Sequence, residues 1–134
     1  DYMAEFVGRV HAASLPWLVA EDAVHVLGYC YANVWNIRDA YRHTVESSIY
    51  LESAATGCGL GTKLYEALFG LLKQRPLRIV IGGVALPNAA SVALHERFGF
   101  EKVAHFKEVG FKFQQWIDVG YWQLELNQVN RVLS

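Results

Sequence analysis

The sequence is short of most features that mark a secreted, metal-holding or membrane-spanning chain. Only two cysteines occur, Cys30 and Cys58. They form neither a CxxC pair nor any other metal-like spacing, so a reduced, cytoplasmic protein is expected rather than a disulfide scaffold or a zinc module. The histidines His11, His25, His43 and His105 are scattered without ligand spacing, and no metal is expected. Charge of either sign is hardly in excess: 12 basic against 13 acidic residues give a net charge of −1. That balance argues against a general nucleic-acid binder and against a polybasic membrane anchor. Long hydrophobic runs are missing too. The longest, Ile79 to Leu86, carries two glycines and falls far below the roughly 18–20 residues of a membrane span. Proline is limited to Pro16, Pro76 and Pro87, and each stands where a hydrophobic pattern breaks. No repeat, low-complexity tract or linker interrupts the 134 residues, and with 53% hydrophobic and 19% charged residues the chain is read as one domain, 1–134, with one core.

The patterns between these breaks predict a mixed α/β layout. Met3, Phe6, Val7 and Val10 recur at helical spacing and predict a short amphipathic helix ended by Pro16. Trp17–Glu21 and Val24–Ala32 read as an antiparallel hairpin around a tight turn at Asp22-Ala23, and Thr44–Leu51 as a further strand. Leu60, Leu64, Leu68, Leu71 and Leu72 form the face of a helix that Pro76 stops. Leu77–Ala85 is a continuous apolar run that suits a strand buried on both faces. Asn88 is a good N-cap for a helix through Phe98, and Gly99 a good C-cap. Phe100–Val109 and Trp116–Leu126 close the chain as two strands.

Between the third strand and the first long helix lies Gly57-Cys58-Gly59-Leu60-Gly61-Thr62. A glycine turn opening a helix presents unpaired backbone N–H groups at the positive end of the helix dipole, which suits a pyrophosphate. No lysine of Walker type follows, and no acidic residue stands about 20 positions on, so neither a P-loop nor a dinucleotide fold is indicated. Taken alone, such a turn is as often free of ligand as not.

Thr56-Gly57-Cys58-Gly59-Leu60-Gly61 resembles the acetyl-CoA turn of the GNAT N-acetyltransferases, with Thr56 at a position where glutamine or arginine is usual. Further blocks are similar to the phosphinothricin and methionine sulfoximine N-acetyltransferases of that superfamily: Arg38 to Ser47, Leu86 to Glu96, and Gly110-Phe111-Lys112-Phe113 with Trp116 to Leu124. The resemblance implies a mixed central sheet with flanking helices and transfer of an acetyl group from acetyl-CoA to the α-amine of a small amino-acid-like substrate. Phosphinothricin, methionine sulfoximine and methionine sulfone are the implied substrate types. It also implies that the chain starts partway into such a domain, without its first strand and helix, so that the hairpin from Trp17 is left with an exposed or partner-covered edge. A homodimer is implied as well, for which Phe111, Phe113, Trp116, Tyr121 and Trp122 offer apolar surface.

The chemistry of amine acetylation assigns roles to these residues. An α-amine is mostly protonated at neutral pH and must lose a proton before it attacks a thioester. Glu46, interrupting an apolar strand, is the candidate base, against the plainer reading of an outward-facing strand glutamate. The leaving thiolate needs a proton, and His95 is the candidate acid, against a helix histidine that packs its ring and bonds a carbonyl. Arg38 is suited to a substrate carboxylate or phosphinate, and Tyr41 could add a donor. By resemblance the cofactor arm lies along the backbone of Ile49, Tyr50 and Leu51, on the turn Gly57 to Thr62, and against Asn88. Gly82-Gly83 would permit close approach of substrate or cofactor. Cys58 lacks a nearby His or Asp partner, so an acyl-cysteine route is disfavoured. The alternatives are an acyl-CoA-binding module or fragment without catalysis, and acetylation of another small amine.

Overall fold

The computed structural model describes residues 5–10, 15–57 and 59–126. A seven-stranded sheet forms its centre: β1 (Glu5–Val10), β2 (Pro16–Glu21), β3 (Val26–Val34), β4 (Thr44–Leu51), β5 (Ile79–Leu86), β6 (Glu101–Lys112) and β7 (Gln115–Glu125). Their order across the sheet is β1-β2-β3-β4-β5-β7-β6. Every neighbouring pair is antiparallel except β4 and β5, which are joined by a crossover through helix α1 (Leu60–Leu72). A second helix, α2 (Ala89–Arg97), follows β5.

Alternation along the strands sorts the sheet into two faces. Leu18, Ala20, Cys30, Ala32, Val45, Val80, Val84 and Trp122 are buried on one face. Onto it α1 lays its stripe of Leu60, Leu64, Tyr65, Leu68, Phe69 and Leu72, crossing β2, β3 and β4, while α2 packs on β5. The other face carries an aromatic row. Trp17 stands over Tyr31 with ring centroids 4.9 Å apart, and Tyr29 stacks on Tyr50 at 5.4 Å. Leu77–Ala85 was expected to be buried on both faces. Instead β5 buries Val80, Gly82 and Val84, and its alternate residues are only partly covered or exposed, because both helices lie on the same side of the sheet.

The N-terminal expectation is corrected. The helical spacing of Phe6, Val7 and Val10 falls in a strand, β1, which pairs with β2 from Glu5↔Glu21 to Val10↔Pro16. β-Branched and aromatic residues with Gly8 among them suit a strand better than a helix, and the backbone groups along β2 supply the partner. The outer edge of the hairpin from Trp17 is therefore covered by this strand. The tight turn at Asp22-Ala23 is a longer loop. The Asp22 carboxylate accepts from the backbone N–H groups of Val24 (2.8 Å) and His25 (2.7 Å), which holds its pKa below the usual carboxylate range. The cap expectations for α2 hold: Asn88 Oδ1 accepts from Ser91 N–H at 3.1 Å, and Gly99 has the left-handed φ of +93°.

Candidate active site

The parallel pair places the site. Its ladder runs from Thr44↔Ile79 only as far as Ser47↔Gly82, although β4 continues to Leu51 and β5 to Leu86. The strands thus part after Ser47 and Gly82. The stretch Ser48–Leu51 stays paired to β3 on its other side, so its edge toward β5 is free to receive an extended ligand. Both strands of a parallel pair lead into helices from the same end, and the N-termini of α1 and α2 flank the opening. This is the carboxyl-end crevice where ligands of parallel sheets bind.

At α1 the glycine turn has the geometry its sequence predicts. Gly57 and Gly59 have φ of +81° and +82°, conformations open to glycine and costly to other residues. Gly59 is the N-cap, and the first intrahelical bond comes from Lys63 N–H to Gly59 O. The amides of Leu60, Gly61 and Thr62 are left for a ligand. Leu60 is buried and anchors the turn. A Cβ at Gly61 would stand 3.2 Å from Leu51, so the helix start is pressed against β4. The Thr56 hydroxyl donates to Ser53 O at 2.8 Å, which commits its proton locally. Cys58 lies outside the described residues. Ile49 and Leu51 turn their side chains to the core, whereas Tyr50 is exposed on the other face. Asn88 spends its Oδ1 on the cap, which leaves its amide group able to donate.

The remaining candidates fall into three separate places. Glu46 lies on the face away from the helices, opposite Asn33 and beside Ile81. Its carboxylate has no hydrogen-bond or ion-pair partner among the described residues, and burial raises its pKa. His95 lies on the helix face and is buried. Its Nδ1 is 2.7 Å from Ser91 O and its Nε2 3.1 Å from Tyr65 Oη. Desolvation lowers its pKa, partly offset by the Ser91 bond. The reading of a packed histidine that bonds a carbonyl fits this geometry. Arg38 and Tyr41 line a cleft of about 440 Å³, floored by Val34, Val45 and Leu77, at the end of the sheet where β4 begins. Tyr41 stands edge-on to Trp35 at 5.4 Å. Glu46 does not line that cleft.

Two further expectations change. Space at Gly82 and Gly83 is taken by the protein itself: added Cβ atoms would meet His95 Nε2 at 2.7 Å and the Tyr121 ring at 3.1 Å. Trp122 belongs to the core, its indole N–H donating to Glu96 at 3.2 Å, rather than to an exposed surface. Tyr65 and Ser47, neither of them among the expected site residues, join His95 in one buried chain. A tyrosine in the middle of an apolar helix stripe was the signal, since a buried phenol needs a partner. No group of three or more His, Cys, Asp or Glu suited to a metal occurs among the described residues.

Comparison with known proteins decides the family. The acetyltransferase (GNAT) domain model matches residues 2–120. The chain belongs to the GNAT acetyltransferase domain family. Among its GNAT relatives, the phosphinothricin N-acetyltransferase of Streptomyces viridochromogenes is 40% identical over 108 residues, covering 81% of this chain and 59% of the relative. The L-methionine sulfoximine/L-methionine sulfone acetyltransferase of Salmonella typhimurium is 37% identical over 113 residues, covering 84% and 66%. A GNAT phosphinothricin acetyltransferase from Sinorhizobium meliloti, solved in complex with acetyl-CoA, superposes with a TM-score of 0.80 at 37% identity, covering 87% of this chain and 63% of that one. The chain therefore spans less than two thirds of the length of these GNAT relatives.

Proposed function

We propose that the protein transfers the acetyl group of acetyl-CoA to the α-amine of a small amino-acid-like substrate of the phosphinothricin, methionine sulfoximine or methionine sulfone type. The observation that carries this reading is the parting of β4 and β5 after Ser47 and Gly82, with the glycine turn of α1 and the Asn88 cap of α2 at its open end. An extended pantetheine amide arm suits the edge of Ser48–Leu51, and a pyrophosphate suits the amides of Leu60 to Thr62. The names and bound cofactor of the relatives support the same choice.

In the reaction Glu46 takes a proton from the substrate ammonium and the free amine attacks the thioester carbonyl. The N–C bond forms, the C–S bond breaks, the second amine proton is released to solvent, and CoA leaves as the thiolate. An unpartnered, partly desolvated carboxylate with a raised pKa is a better base for that proton than an ordinary surface glutamate. Arg38, exposed and without an ion-pair partner among the described residues, and Tyr41 are kept as contacts for the substrate carboxylate on the likeness of the block Arg38 to Ser47, although their cleft is separate from Glu46. His95 fits an acid role poorly. A carbonyl only accepts, so Nδ1 carries the proton, and the Nε2 of the neutral ring accepts from Tyr65. Donation toward the crevice would need the imidazolium, which burial disfavours. We assign the thiolate's proton to solvent and give His95 a structural part.

The seclusion of His95 on the face opposite Glu46 also favours a second reading, a module that binds acyl-CoA without catalysis. Titration with acetyl-CoA followed by a free-thiol assay separates the two. Binding with thiol release on methionine sulfone supports the transferase, and binding without release across an amino-acid panel supports the module. A homodimer and a cytoplasmic location complete the proposal. Exposed Val103, Phe106, Val109, Phe111, Phe113 and Trp116 on β6, β7 and their connection support the first, and the free, buried thiol of Cys30 supports the second. Among the described residues no helix is long and apolar enough to cross a membrane. Light scattering at micromolar protein should report twice the chain mass, and a 15.1 kDa species would contradict the dimer.

A further inference from the structure

The apex of the crevice is braced from the closed side. Ser47 and Gly82 are the last residues through which β4 and β5 pair with each other. Behind them Ser47 Oγ lies 3.2 Å from Tyr65 Oη, and Tyr65 Oη lies 3.1 Å from His95 Nε2. The His95 ring in turn covers Gly82 so closely that a Cβ there would be 2.7 Å from Nε2. The contacts thus run from β4 through α1 and α2 to β5, closing a ring around the point of separation. Ser47 and His95 are each 2% exposed and Tyr65 is fully buried. The ring planes of Tyr65 and Phe100 stand edge-on to His95 at 5.3 and 4.9 Å and hold it in place.

Ser91 O accepts from His95 Nδ1–H, and the Tyr65 hydroxyl lies between His95 Nε2 and Ser47 Oγ, within hydrogen-bond distance of both. Such a chain is stable when complete and expensive when one member is removed, because the others are left buried without partners.

We propose that Tyr65 is a positioning residue: its hydroxyl, shared between Ser47 and His95, fixes where β4 and β5 part and so where the thioester is held relative to Glu46 across the sheet. Its catalytic consequence rests on the acetyl-transfer reading, whereas its structural part does not. The test is Tyr65→Phe, which keeps the ring and its packing and removes only the shared hydroxyl. Without ligand, amide exchange at Ser47, which faces β5, should lose protection by about ten- to a hundredfold, the cost of buried groups left unpaired. Exchange at Leu18 and Cys30 in the β2–β3 pair should be unchanged. The His95 imidazole nitrogen spectrum should show a protonated Nδ1 and a hydrogen-bonded Nε2 in the wild type, and an Nε2 shifted toward the unbonded position in the variant. In turnover kcat should fall by about ten- to a hundredfold with the KM for acetyl-CoA within about threefold, as a misplaced reacting centre requires. Ser47→Ala, which leaves the Tyr65–His95 bond in place, should show smaller changes of the same sign, and the double variant should be less than additive. Should Tyr65→Phe fail to fold, Ser47→Ala carries the test. Unchanged exchange at Ser47 with an unchanged His95 spectrum would overturn the positioning role. A disturbed apex with unchanged kcat would overturn its catalytic consequence. A wild type that transfers no acetyl group, with the apex changes as described, would overturn the transferase reading and support the structural assignment.

Discussion

Replacing Gly82 by alanine probes the close fit at the crevice apex with a single methyl group. Gly82 has no positive φ, so alanine brings no backbone strain, and the effect is confined to the space its Cβ enters. That space holds the His95 ring, with Nε2 at 2.7 Å and Cδ2 at 2.8 Å from the added carbon. The ring cannot swing aside cheaply, because Tyr65 and Phe100 box its edges and Ser91 O holds Nδ1. A shift of a few tenths of an ångström stretches or breaks the bond to Tyr65. Leaving those groups unpaired costs about 1–3 kcal/mol, and overpacking about 1–3 kcal/mol more. The reduced freedom of the unfolded chain returns about 0.4–1 kcal/mol. The net expectation is a loss of about 1–5 kcal/mol, or roughly 4–20 °C in melting temperature for a domain of this size. Urea and thermal melts of Gly82→Ala against the wild type measure it. Gly70→Ala is the internal control. Gly70 is exposed on α1 with nothing within 4 Å of an added Cβ, and alanine there should stabilise by about 0.5–1 kcal/mol. Equal stability of Gly82→Ala and wild type would refute the tight apex, and with it the argument for the Tyr65 chain.

Other outcomes follow from the same structure. Glu46→Gln should reduce kcat/KM by at least a hundredfold, on the scale of a lost general base. The wild-type kcat/KM should rise with pH through the raised Glu46 pKa, and the variant should lose that rise. The same variant should fold more stably than wild type at pH 7. A carboxyl whose folded pKa lies above its ordinary 4.5 costs stability as pH climbs from that value through the folded one, so melts below pH 4 should show no gain. For His95 the sign is opposite. With its folded pKa below the ordinary 6.5, stability is intact above that pH and is lost as pH falls from 6.5 toward the folded value, by up to about 1.4 kcal/mol per pH unit. Melts between pH 7 and 5 should show this slope, and His95→Gln should lack it. Gly59→Ala, forced to a φ of +82°, should cost about 1–2 kcal/mol of stability and raise the Kd for acetyl-CoA measured by titration.

Much of the scaffold was legible because it rests on local chemistry. Thr44–Leu51 reads as a strand, α2 is bounded by Asn88 and Gly99, and the start of α1 by the glycines of its turn, and the structure keeps each of these. What stayed hidden depends on partners distant in sequence. Helical spacing at Phe6, Val7 and Val10 gave way to the unpaired edge of β2, a tertiary demand that no window of sequence contains. Alternation separates the faces of β4 but cannot say which face the helices cover, so Glu46 and His95 could be named as a pair although the sheet lies between them. Gly82-Gly83 signalled close approach, and the approach is made by His95 and Tyr121. Tyr65 stands among the leucines of its helix stripe, and only the fold brings its hydroxyl between two polar partners.

The central claim concerns chemistry at the parted strands, and one assay reaches it directly. The purified protein is mixed with acetyl-CoA and methionine sulfone, and free thiol is followed alongside the mass of the sulfone. The account predicts one thiol released per N-acetylated sulfone, with both signals reduced at least a hundredfold in Glu46→Gln and acetyl-CoA binding retained. Bound acetyl-CoA with no thiol release and no acetylated product, across the sulfone, the sulfoximine and phosphinothricin, would contradict it.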